Sequence, residues 1–148
     1  MKPSLRERAL RFLARREHAR VELARKLAPH AESEEELETL LNDLSERRLL
    51  SDARYVEMRL TARSARYGNA RLAQEFRSSG VESELVEEAL TKVEDELVRA
   101  RQVWLRKFGG HSGAADPAER ARQAGFMMRR GFSGDTIRRV LRGGNEND

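Results

Sequence analysis

The chain contains no cysteine among its 148 residues, which removes disulfides and thiolate metal sites and gives an oxidising compartment no support. Aromatic residues make up only 5% of it, with a single tryptophan, so a β-sandwich core or a deep ligand cavity is a poor fit. No apolar run approaches the length of a membrane span, and the start, MKPSLRERAL, has no hydrophobic stretch of the kind that leads secretion. His18, His30 and His111 are scattered, with no H-x-x-x-H pair and no nearby carboxylate triad, so no metal or other cofactor is expected. A G-x-x-x-x-G-K-[ST] loop is also missing, so the chain carries no phosphate cradle of that type. The acidic run Glu34, Glu35, Glu36 and Glu38 falls in the first turns of a helix, where carboxylates oppose the macrodipole. No catalytic residue is expected, and the chain reads as a non-enzyme that is soluble, cytoplasmic and free of any membrane partner.

What is present is a repeat. RLAQEFRSSGVESELVEEAL (71–90) aligns without a gap on RQAGFMMRRGFSGDTIRRVL (122–141) at a constant offset of 51. The paired positions are those a helical unit needs: Ala73 with Ala124, Phe76 with Met127, Gly80 with Gly131, Val81 with Phe132, Val86 with Ile137 and Leu90 with Leu141. A fainter copy upstream, offset by 49, sets Leu23, Ala24 and Leu27 under Leu72, Ala73 and Phe76. The expected fold is therefore all-α: an elongated array of three tandem three-helix repeats, about nine helices, at 1–50, 51–91 and 92–142, with a disordered tail over 143–148.

Apolar residues at i, i+3, i+4 and i+7 place the helices: Leu5, Ala9, Phe12 and Leu13; then Leu23, Ala24 and Leu27; then Leu37, Leu40, Leu41 and Leu44. Further helices are predicted near 51–66, 69–79, 83–91 and 92–108, then from Asp116 and from Ser133, with Ser33, Ser51, Asn69, Ser83 and Asp116 as N-caps. Gly80 and Gly131, each followed by an apolar residue, read as left-handed C-caps. GGHSGAA (109–115) reads as a flexible loop. No strong breaker separates 83 from 108, and Thr91 with Glu94 is the one sign of a break there. Trp104 lies on the stripe Leu97, Ala100, Trp104, Phe108 and is assigned to the core.

The net charge of +4 conceals a sorted pattern: +6 over 1–30, −5 over 31–50, +3 over 51–80, −6 over 81–98 and +6 over 99–148. Basic blocks suit a phosphate-bearing partner, and acidic blocks repel one. Cations come from 25 Arg and only 4 Lys, which suits bidentate contacts to carboxylate or phosphate; a genome rich in Arg and Ala codons gives the same ratio. A helix-turn-helix reading would use 83–91 for recognition, yet that helix carries Glu84, Glu87 and Glu88 and meets phosphate with the wrong sign. Only the last helix, with Arg138, Arg139 and Arg142 near Arg129 and Arg130, offers a basic face.

Five segments carry a family resemblance: ALRFLARREHARVELARKL (9–27), LLSDARYVEMRLTARSARYGNARLAQEF (49–76), RSSGVESELVEEAL (77–90), RKF (106–108) and MMRRGFSGDTIRRVL (127–141). In this order they resemble the RecX family of bacterial regulatory proteins. The resemblance implies tandem three-helix repeats and a modulator of the RecA recombinase. Such a modulator occupies the groove of the RecA filament on single-stranded DNA and inhibits strand exchange and ATP hydrolysis. The expected partners are the RecA filament and, weakly and without sequence specificity, single-stranded DNA, and the chain is expected to be a monomer. The candidate filament or DNA contacts are Arg15, Arg16, Arg63, Arg66, Arg71, Arg129, Arg130, Arg138, Arg139 and Arg142. Asp52, Tyr55, Gly68, Gly80, Gly131 and Phe132 match recurring family positions and read as fold determinants. One departure stands out: the family commonly has Gly where this chain has Arg48, so the third helix is expected to end in a different or strained way. A helical DNA-binding transcriptional regulator is the alternative, and a passive helical scaffold a third.

Overall fold

A computed structural model describes residues 2–109 and 116–146. Among these there are nine α-helices and no strand: α1 (Leu5–Arg15), α2 (Arg20–Leu27), α3 (Glu34–Glu46), α4 (Asp52–Arg63), α5 (Asn69–Ser78), α6 (Ser83–Leu90), α7 (Glu96–Phe108), α8 (Pro117–Arg129) and α9 (Gly134–Glu146). A short 3₁₀ turn, Ala28–His30, follows α2. The fold is all-α, as the periodicity predicted. His111 and most of the loop read at 109–115 lie outside the described residues, as do residues 147 and 148. The tail predicted for 143–148 is helical as far as Glu146, where α9 ends. The chain forms two compact units, Met1–Met58 with Phe76–Val86 and Arg59–Glu75 with Glu87–Asp148, so the division falls inside α4, α5 and α6.

In the first unit α2 packs on α1 and α3, and the predicted apolar stripes close on Ala9, Leu23, Leu27, Leu40, Leu41, Leu44 and Leu50. Full burial of such a side chain contributes about 1.5–3 kcal/mol, and Leu23, Leu27 and Leu44 are completely buried. Tyr55 is also buried here, edge-on to Phe76, with its hydroxyl 3.0 Å from Ser79 Oγ. Asp52 has a more definite role than a solvated carboxylate at a helix start. Its Oδ1 accepts the Arg20 backbone N–H at 2.7 Å, capping α2, whose N-cap residue is an alanine with no side-chain acceptor. His18 is buried, its Nδ1 3.1 Å from Arg16 O and its Nε2 2.9 Å from Lys26 Nζ. Burial holds its pKa below the ordinary histidine value, and these partners fit the neutral ring protonated at Nδ1.

The second unit gathers α7, α8 and α9 about Ala100, Val103, Trp104, Phe108, Met127, Phe132, Ile137, Val140 and Leu141. Trp104 is core, and its Nε1–H donates to the buried Gln123 Oε1 at 2.8 Å. Gln123 Nε2 donates in turn to Glu119, whose carboxyl is brought to about 2 by hydrogen bonds from Arg122 and then from Gln123. The uncertain stretch between 83 and 108 is broken: α6 ends at Leu90 and α7 begins at Glu96. The N-cap is Asp95, which accepts from Leu97 N at 3.1 Å, while Thr91 turns its hydroxyl back to Glu88 O at 2.6 Å. Asn69, predicted as the N-cap of α5, is the first residue of that helix, and its side-chain oxygen accepts from the Arg99 guanidinium.

Three helices end in the same left-handed turn. After α5, Gly80 N–H bonds Arg77 O and Val81 N–H bonds Phe76 O; after α8, Gly131 and Phe132 repeat the pattern on Met128 and Met127. After α3 the same pair of bonds runs from Arg48 to Ser45 and from Leu49 to Leu44, with Arg48 at φ 61°. Arg48 is the one non-glycine residue with positive φ among the described residues. A residue with a Cβ costs about 1–2 kcal/mol there, of which the unfolded-state freedom of glycine returns roughly half. Arg48→Gly is therefore expected to stabilise the protein by about 1 kcal/mol and raise its melting temperature by about 2–4 °C. A calorimetric midpoint unchanged or lowered would show that the arginine side chain offsets the strain.

A basic cluster around Tyr67

Tyr67 lies in the short connection from α4 to α5, held between two turns of chain. Gly68 N–H donates to Arg130 O at 2.8 Å, and a Cβ on Gly68 would stand 2.3 Å from Gly131 O. Only glycine permits this approach, so the C-cap of α8 sits directly against the connection. On the other side, the buried Arg99 guanidinium donates from Nη1 to Ser64 O at 3.0 Å and Tyr67 O at 2.9 Å, and from Nε to Glu94 O at 2.8 Å. Burial draws the Arg99 pKa down, and the nearby carboxylates of Glu96, Asp95 and Glu94 oppose that shift. A network extends from there: Glu96 accepts Asn69 N–H at 2.7 Å and the Thr136 hydroxyl at 3.0 Å, so the starts of α5, α7 and α9 share it.

With the backbone so fixed, cations converge on the ring. The guanidinium carbons of Arg71, Arg63 and Arg130 lie 4.3, 4.5 and 5.2 Å from the Tyr67 centroid. Arg130 is also 5.0 Å from the Phe126 centroid, which Lys107 Nζ approaches to 5.2 Å. Arg66 and Arg106 complete a concavity of about 340 Å³ with Tyr67, Val103 and Phe126. Arg106 is anchored by Nη2 to Ala65 O at 2.7 Å. The carboxylate that answers them is Glu75, bound through two hydrogen bonds of 2.8 and 2.7 Å to Arg63, with Arg71 at 3.6 Å and Arg59 at 3.8 Å. The hydrogen bond to Glu75 raises the Arg63 pKa further.

The Nε and Nη2 edge of Arg63 is already taken by Glu75, and Arg71 is drawn to the same carboxylate. The cations left for an outside anion are Arg66, Arg106, Lys107 and Arg130, which take part in no ion pair among the described residues. With these four cations around one concavity, the cluster is suited to gripping an anionic backbone and poorly suited to reading bases.

Of the predicted contacts, Arg63, Arg66, Arg71 and Arg130 come together here. Arg129 is exposed at the end of α8, and its carbonyl accepts from Arg71 Nη1 at 3.1 Å. Arg138, Arg139 and Arg142 are exposed on α9, opposite the buried Ile137, Val140 and Leu141; Arg138 lies 3.7 Å from Asp135. Among the described residues no hydrogen bond or ion pair joins that trio to the Tyr67 group. Arg15 and Arg16 belong to the first unit, where Arg16 pairs with Glu22 at 2.6 Å. Glu84, Glu87 and Glu88 of α6 are all exposed, so that helix does present acid. Tyr67, Phe126, Arg106 and Lys107 were not singled out from the sequence. The spacing of Arg63, Tyr67 and Arg71 at i, i+4 and i+8 was visible, but α4 ends at Arg63, and the ring is placed by a loop and not by a helical face.

Comparison with known proteins agrees along nearly the whole length. Residues 51–90 match the family model described as RecX, second three-helix domain, and residues 94–141 the one described as RecX, third three-helix domain. A protein named regulatory protein RecX from Leptothrix cholodnii is 50% identical over 140 residues, 94% of this chain and 88% of that protein. Its namesake from Chromobacterium violaceum is 45% identical over 145 residues, covering 98% and 93%. Among solved structures, RecX from Lactobacillus salivarius superposes with a TM-score of 0.81 at 18% identity, covering 96% of this chain and 95% of that one. At that identity the likeness concerns the fold alone.

Proposed function

Since the chain belongs to the RecX family and is a regulatory protein, we propose that it binds the RecA filament on single-stranded DNA and inhibits its ATPase and strand exchange. The observation that supports this reading is the concavity beside Tyr67 and Phe126 with Arg66, Arg106, Lys107 and Arg130 around it, a surface that suits a phosphate backbone without preference for sequence. The protein works by occupancy, not catalysis, and acts as a monomer in the cytoplasm, where such filaments form. Among the described residues no helix is long and apolar enough to cross a membrane. A transcriptional regulator is less well supported, because the helix that would enter a major groove, α6, is acidic.

Titrating RecA ATP hydrolysis on single-stranded DNA with this protein tests the proposal. The expected result is suppression at or below equimolar protein, with no hydrolysis by the protein alone. Its affinity for free DNA should be low and independent of sequence, falling by about 10³ between low and physiological salt if roughly six phosphates are contacted. An unchanged filament ATPase and unchanged strand exchange across the titration would overturn the reading. A tight, sequence-specific footprint that survives high salt would favour the transcriptional regulator.

A further inference from the structure

The first unit carries a second concavity whose chemistry is unlike that of the Tyr67 cluster. It is a groove of about 690 Å³ between α1 and the segment that follows α3, within the size range of ligand sites. Its floor is aliphatic: Leu10, Leu13 and Ala14 at i, i+3 and i+4 on α1, with Leu49 and Met58 opposite. Leu10 and Leu49 are 39% and 44% exposed, apolar surface left uncovered on a chain with few such residues. Arginines 15, 16, 48 and 54 stand around it. Two are already engaged, Arg16 with Glu22 at 2.6 Å and Arg54 with Glu17 at 2.8 Å. Arg15 and Arg48 take part in no ion pair among the described residues.

Arg48 is the residue held in the left-handed conformation where the two matching turns carry Gly80 and Gly131. Arg48 stands at the groove, and Leu49 is exposed where Val81 and Phe132, at the same place in the matching turns, are buried. A backbone outlier that coincides with an uncovered apolar surface and two unpaired cations is the kind of observation from which a function can be inferred. We propose that this groove docks an acidic, apolar peptide segment of a protein partner, with an aliphatic side chain seated against Leu10 and Leu49 and carboxylates meeting Arg15 and Arg48. A nucleic acid is the poorer occupant. The groove has no aromatic ring on which a base could stack. The assignment concerns a different surface and a different partner chemistry from the proposed function, and neither depends on the other.

The test is fluorescence anisotropy of the full chain with a short labelled peptide bearing leucines at i and i+4 among glutamates. Two control peptides carry lysine for every glutamate, or serine for every leucine. The acidic leucine peptide should bind, and each control should bind about tenfold more weakly or not at all. Arg48→Gly should weaken binding about fivefold, the value of one exposed charge contact, while its melting temperature rises. A loss of affinity in that variant therefore cannot come from unfolding. Leu49→Gln, at an exposed position, should weaken binding about tenfold. The proposal is overturned if the acidic peptide does not bind, or if it binds the parent and both variants alike. It also falls if a single-stranded oligonucleotide displaces the peptide and is itself weakened by Arg48→Gly.

Discussion

Reversing Arg66, Arg106 and Lys107 to glutamate is expected to lower affinity for the RecA filament, and for single-stranded DNA, by about 10² or more. All three side chains are exposed and line the concavity beside Tyr67 and Phe126. Each reversal replaces an attraction to phosphate with a repulsion, and the three act on one small surface, so encounter rate and residence time fall together. The cost to folding should be small, roughly 0.5 kcal/mol for each exposed site. Arg106 costs somewhat more, because its bond to Ala65 O is lost. The matched comparison is Arg138, Arg139 and Arg142 to glutamate on α9, a solvated face with no aromatic ring and no concavity among the contacts described for it. Filament binding, ATPase inhibition and melting temperature are read for both variants. If the first retains the parent's affinity at an unchanged melting temperature, the Tyr67 cluster is not the contact. If only the α9 variant loses affinity, the contact is there.

The second large effect concerns stability. Arg99→Met should destabilise the second unit by about 3–5 kcal/mol, enough to lower its melting temperature by roughly 10 °C or more. Methionine fills part of the space but leaves the carbonyls of Ser64, Tyr67 and Glu94 and the Asn69 side chain without their donors. A buried acceptor left unpaired costs about 1–3 kcal/mol. Arg99→Lys keeps the charge but cannot span three carbonyls with one ammonium, and about half of the loss should remain. Amide exchange adds a local readout: the connection over 64–69 should lose protection before the core of α7 does. A variant that unfolds like the parent, with the same exchange pattern, would mean that water replaces the guanidinium at no cost. Because Arg99 also holds the backbone of Tyr67, filament binding should fall in Arg99→Lys even at temperatures where it stays folded.

The helices, their apolar faces and their glycine turns were legible in one dimension. Each depends on neighbours within a few residues: Leu37, Leu40, Leu41 and Leu44 share a face because α-helical spacing repeats every 3.6 residues, and Gly80 and Gly131 end helices because they lack a Cβ. The strain at Arg48 could be foreseen for the same reason, since the turn that follows α3 is built from local bonds. The sign of the charge on α6 was equally plain, and it was enough to set aside that helix as a reader of DNA. Arg99 was not legible. It belonged to a basic block that reads as a solvated face, and its burial depends on carbonyls of the connection after α4, some thirty residues earlier, meeting the start of α7. The Tyr67 cluster is hidden for the same reason, because Arg63, Arg71, Lys107, Phe126 and Arg130 meet only once Gly68 has packed against Gly131. Periodicity records which side of a helix avoids water, and that is a local property. Which cations share one ring, and which carbonyls share one guanidinium, depends on contacts between distant segments, and only the tertiary structure decides those.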